Sequence, residues 1–154
     1  MKFDLSYLID ALPRLLEGAL ITIKITLIGF LLSLALATLL TLIRETTRWT
    51  IAHKLLAVYI SFIRGTPLLV QIFLIYYVTP VVGLDIGPLT AGILAITLNS
   101  AAFVVEILRG GLASVPRGQF EAAKALGLKG RALWQKVILP QTFIASIPPL
   151  VNEF

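Results

Sequence analysis

A chain of 154 residues that is 58% hydrophobic and only 14% charged, with a mean hydropathy of +0.95, is too poor in charge for a soluble domain, where about a quarter of residues are charged. A folded chain of this size still leaves roughly 30% of its unfolded surface exposed, so a soluble globular protein is excluded. With no cysteine and a single histidine, His53, disulfide frameworks, thiolate nucleophiles, iron-sulfur ligation and Cys/His zinc sites are excluded as well, and the net charge of +5 sits between apolar runs and reads as membrane topology, not nucleic-acid binding.

The N-terminal stretch places Leu5, Leu8, Ile9 and Leu12 at helical spacing opposite Asp4, Tyr7 and Asp10, which predicts a short helix in the outer interface with Pro13 opening the next helix. Asp4 and Asp10 stand where a secretory signal needs a positive charge and an apolar run, so this stretch is expected to stay on the mature protein. A first span is expected over 18–43, with Lys24 snorkelling to the headgroups and an uncharged run over 25–43. Residues 44–64 form a basic loop and the start of the next helix, with Gly65 and Pro67 permitting a bend after Arg64. Spans over 65–82 and 87–106 follow, separated by a turn with Pro80, Gly83, Gly87 and Pro88. A polar loop covers 109–136, and the stretch 137–154, interrupted by Pro140, Pro148 and Pro149, reads as a shorter fourth span. The fold class is an all-α integral membrane protein, a polytopic helical bundle.

Basic residues are retained on the cytoplasmic side of a membrane. Arg44, Arg48, Lys54 and Arg64 lie between the first two spans, and Arg109, Arg117, Lys124, Lys129, Arg131 and Lys136 follow the third. The turn around Asp85 has none, so the N-terminus is expected outside. Trp49 and Trp134 near the basic ends, and Tyr76 and Tyr77 near the opposite end, suit interfacial positions.

The loop at 109–136 is too ordered for a linker. Pro116 suits a first helical turn, 119–126 holds good helix formers, and Gly127 can take the left-handed conformation that ends a helix, with a second short helix starting near Lys129 or Gly130. Ala122, Ala123 and Ala125 permit close approach to another surface, and Phe120, Glu121 and Lys124 add an apolar anchor and charge, so the segment reads as a docking knob.

The stretch EAAKALG at 121–127, followed by VILP at 137–140, resembles the cytoplasmic EAA loop of ATP-binding-cassette importer permeases. RGTPLLVQ at 64–71, EILRGGLASVPRGQFEAAKALGL at 106–128 and PPLVNEF at 148–154 are similar to the polar amino-acid branch, the histidine, glutamine and arginine type of membrane subunit. Val137 stands where the general loop pattern prefers Ile. The resemblance implies a permease domain in a bacterial-type inner membrane, with five spans, of which this sequence holds about four. It implies that Phe120, Glu121, Ala122, Ala123, Ala125 and Gly127 belong to the coupling helices seated on a cytoplasmic ATPase dimer. It further implies an extracytoplasmic amino-acid-binding protein and a second permease chain, the same or related. No phosphate-binding loop with a Gly-Lys-Ser/Thr signature occurs, so ATP is expected to be used by the partner and the chain to need no cofactor.

The residues leave some roles open. Arg64, Gln71, Asn99, Glu106 and Arg109 are candidate polar residues of a solute pathway or of helix packing. Glu106 and Arg109 share a helix face and can form an ion pair; Arg64 is either an interfacial cation or a partner of Glu106. A truncated, non-transporting chain that inserts or binds the ATPase is the alternative to a transporting permease. An integral-membrane enzyme would need titratable groups clustered at one depth, whereas the charges here gather at the span ends.

Overall fold

The computed structural model describes residues 5–46 and 49–153, and the side chains of 11–45 and 49–153. Lys2, Asp4, Arg48 and Phe154, and the side chains of Leu5, Tyr7, Leu8, Ile9 and Asp10 that form the expected interfacial pattern, lie outside the described residues.

Every element among the described residues is helical. Helix α1 runs over Leu5–Thr46, α2 over Thr50–Arg64 and α3 over Leu68–Val78, followed by a 3-10 turn at Pro80–Val82. Helix α4 covers Pro88–Ala113, α5 Arg117–Ala125 and α6 Gly130–Leu133; a π turn at Trp134–Ile138 leads into α7, Leu139–Glu153. Among the described residues two helices are long and apolar enough to cross a bilayer, α1 over Ala11–Glu45 and the whole of α4, with mean hydropathies of 2.4 and 1.9. Helix α2 and the segment Leu68–Val82 reach that length only together, as a pair bent by 106°.

Helices α1, α2 and α7 each differ from the expected elements. Helix α1 passes through Pro13 without interruption, because a proline removes one amide donor and the strong helix formers around it sustain the remaining ladder. Within residues 44–64, expected as a basic loop and the start of the next helix, α2 already begins at Thr50, and its Leu56, Ile60 and Ile63 are buried at helical spacing. Helix α7 likewise continues across Pro148 and Pro149 and has 15 residues.

Helix α4 occupies the centre and packs against α1, α2, α3 and α7. Its Ala91, Ala95, Ala101 and Ala102 are fully buried, the small residues that let helices approach closely where lipid supplies no hydrophobic drive. At Gly29 of α1 an added Cβ would lie 2.7 Å from Ile96 Cγ2. Three buried hydroxyls bond to carbonyls one turn earlier, Ser33 Oγ donating to Phe30 O at 2.8 Å, Thr142 Oγ1 to Ile138 O at 2.9 Å and Ser146 Oγ to Thr142 O at 2.8 Å, whereas Thr41 Oγ1 and Thr97 Oγ1 are buried without a partner among the described residues.

Candidate functional site

The polar loop after α4 folds as a compact unit. Helix α4 ends where Ser114 N donates to Gly110 O at 3.0 Å, and Pro116, extended at φ −60° and ψ 139°, redirects the chain into α5. Helix α5 stops in a Schellman motif: Leu128 N donates to Ala123 O at 3.0 Å and Gly127 N to Lys124 O at 2.9 Å, with Gly127 at φ +77°. Val115, Ala123, Leu133 and Ile138 form a small core beneath it, flanked by Leu112, Phe120, Leu128, Trp134 and Val137. Gln141 of α7 donates to Gln119 Oε1 at 3.3 Å and further fastens α5 to the bundle.

That core divides the expected knob residues. Ala123 is buried and Phe120 half-buried, both turned into the loop itself, whereas Glu121, Ala122 and Ala125 are exposed. Leu126 is 81% exposed at the tip. Sequence reasoning passed over it, although a leucine immediately before a helix-ending glycine, outside the buried stripe, is a legible signal. Trp134 is half-buried and packs against this core.

The second polar group lies along α4. Glu106 accepts from Arg109 Nη2 at 2.7 Å, as the three-residue spacing predicts, and also from Arg44 Nη1 of α1 at 3.2 Å. Arg64 does not join this ion pair; its guanidinium lies over the Phe103 ring, 5.1 Å from the centroid. The two arginines that reach Glu106 already occupy both of its oxygens. Gln71 and Asn99 are brought together, with Asn99 Nδ2 donating to Gln71 Oε1 at 3.2 Å. Among the described residues no cluster of three or more His, Asp or Glu side chains is arranged to hold a metal ion.

A hydrophobic bundle with an ordered polar loop between its central and last helices matches a known architecture. The family described as "Binding-protein-dependent transport system inner membrane component" matches residues 29–154. The chain belongs to this permease family. Among its relatives is the L-cystine transport system permease protein of Bacillus subtilis, 40% identical over 92% of this chain and 60% of that protein. The glutamine transport system permease protein of Escherichia coli K12 is 38% identical over 100% of this chain and 71% of its own length. A solved structure described as the crystal structure of an amino acid ABC transporter with histidines superposes with a TM-score of 0.89 and 34% identity, covering 99% of this chain and 71% of that one. The chain thus spans 60% of the cystine permease's length and 71% of the glutamine permease's. These permease relatives are transport components, not enzymes, and the family is one of integral inner-membrane proteins.

Proposed function

We propose that the chain is the membrane-spanning permease subunit of an ATP-driven importer of polar or charged amino acids, with its N-terminus outside the cytoplasm. Membership of the permease family carries this reading, and the folded loop supports it. A knob that buries Ala123 on its own core and presents Glu121, Ala122, Ala125 and Leu126 outward suits a groove in a cytoplasmic ATPase dimer. Phe120 and Gly127 act there by holding the shape of the knob, Phe120 from beneath and Gly127 at the turn.

The permease itself needs no catalytic group. It supplies two packed arrangements open to opposite sides, and partners shift their populations by binding one better than the other. An extracytoplasmic binding protein delivers the solute, a second permease chain completes the pathway, and the ATPase drives the exchange. Reconstitution of the permease with its cognate ATPase and binding protein in liposomes tests this. ATP-dependent accumulation of labelled glutamine, histidine, arginine or cystine is expected; absence of ATP-dependent uptake of any amino acid would overturn the assignment.

A further inference from the structure

Helices α2 and α3 meet at 106° across Gly65, Thr66 and Pro67. Such a break ends the amide ladder of α2: Ile63 O takes a long bond from Thr66 N, at 3.4 Å, and inside a bilayer no water fills the gap. Gln71, in the first turn of α3 and only 5% exposed, closes this gap. Its Nε2 donates to Ile63 O at 2.9 Å, to Thr66 O at 3.1 Å and to Thr66 Oγ1 at 2.8 Å. The other end of the same amide accepts from Asn99 of α4. One residue away, the Tyr59 hydroxyl of α2 donates to Leu98 O at 2.6 Å. Both arms of the elbow are therefore fastened to successive residues of α4, and Arg64 stacks on Phe103 one turn further along. Helix α4 continues to Ala113 and passes through Ser114 and Val115 into the cytoplasmic loop, where Val115 packs in the core that holds Ala123.

We infer that Gln71 is a positioning residue for transport: it holds the α2–α3 elbow at one angle and, through Asn99, makes the elbow and α4 move as one body when the cytoplasmic loop is displaced. The inference rests on the permease reading above. It is distinct from a purely structural hydrogen bond, whose loss lowers the yield of folded protein but leaves transport per ATP unchanged. It is distinct also from solute contact, whose loss raises KM.

The test uses the assembled transporter in liposomes. Because the chain has no cysteine, spin labels at Leu55→Cys and Val78→Cys, exposed positions on α2 and α3, report the elbow angle as a distance. With wild-type residues at 71 and 99, one narrow distance is expected throughout the ATP cycle; Gln71→Leu broadens it. Asn99→Ala, which leaves all three Gln71 cap bonds in place, keeps the distance narrow. It raises the ATP hydrolysed per solute imported by about tenfold, the size of a typical coupling energy between sites. The double variant is no worse than Gln71→Leu alone. An Asn99→Ala transporter with the wild-type ratio of ATP to solute, or with only a raised KM, overturns the inference. Wild-type complexes without uptake overturn the permease reading instead, and a 55–78 distance unaffected by Gln71→Leu would still refute the elbow.

Discussion

Arg44 of α1 and Glu106 of α4 form an ion pair of 3.2 Å across 62 residues of sequence, while the second Glu106 oxygen takes Arg109. The pair pins the basic end of α1 to the central helix, and Glu106 is three-quarters buried beside two partly exposed arginines. Glu106→Gln keeps the shape and loses the charge; we expect it to lower stability by about 1 kcal/mol, the upper range for partly exposed pairs. Glu106→Arg, which sets three guanidinium groups together, lowers it further. Thermal unfolding of the detergent-purified protein checks both, and Glu106→Arg matching wild type would show that the pair contributes nothing.

Two adjacent glycines of α4 separate packing from propensity. A Cβ on Gly111 would overlap Ser146 Oγ and come within 2.8 Å of Thr142 O, whereas nothing lies within 4 Å of one on Gly110. Gly111→Ala therefore drives α4 and α7 apart, at a cost of about 1–3 kcal/mol for overpacking. Gly110→Ala is expected to be neutral or to stabilise by up to about 1 kcal/mol, since alanine is the better helix former. Folded yield and unfolding midpoint read both, and equal effects at the two positions would refute the close α4–α7 contact.

How far the letters alone reach depends on where each residue's partner lies. Helix α4 runs on to Ala113, inside the loop expected over 109–136, but the turns around α5 are legible because their punctuation is local: Pro116 redirects the chain and Gly127 sits at φ +77°. The Glu106–Arg109 pair was legible for the same reason, being one helical turn long. Gln71 stands out as a polar residue for helix packing or a solute pathway, but its partners do not, since they are two backbone carbonyls that carry no sequence signature and an asparagine 28 residues away. Of the two readings of Arg64, interfacial cation or partner of Glu106, the second fails because Arg44 and Arg109 take the Glu106 oxygens, and the Arg64 guanidinium lies over the Phe103 ring. Helix α2 was obscured by Lys54 and its basic neighbours, although Leu56, Ile60 and Ile63 mark a buried stripe.

The side chains of Leu126 and Glu121 are exposed on the knob and neither belongs to its small core. Leu126→Glu and Glu121→Lys should leave membrane insertion and the unfolding midpoint unchanged, within about 0.5 kcal/mol for exposed positions. Both should reduce copurification of the ATPase by tenfold or more if the groove buries these side chains, as a loss of about 1.4 kcal/mol of binding already does. Gly127→Pro acts differently, because a proline holds φ near −65° where the turn needs a positive φ. It distorts the knob and lowers both stability and ATPase binding. Undiminished copurification with all three variants would remove the loop from the docking surface.

The bundle's two ends carry opposite signs of topology, and single cysteines can read them because the chain has none of its own. Val82 is exposed in the turn between α3 and α4, and Leu126 is exposed at the tip of the polar loop. Ten basic residues flank the spans on the loop side, whereas the turn near Asp85 has no Lys or Arg, so retention of positive charge in the cytoplasm puts Leu126 inside and Val82 outside. In intact cells a membrane-impermeant maleimide should label Val82→Cys and spare Leu126→Cys, with both labelled after the membrane is opened. Labelling of Leu126→Cys in intact cells would invert the topology, place the knob on the side away from any cytoplasmic ATPase, and remove the physical basis for ATP-driven coupling through α5.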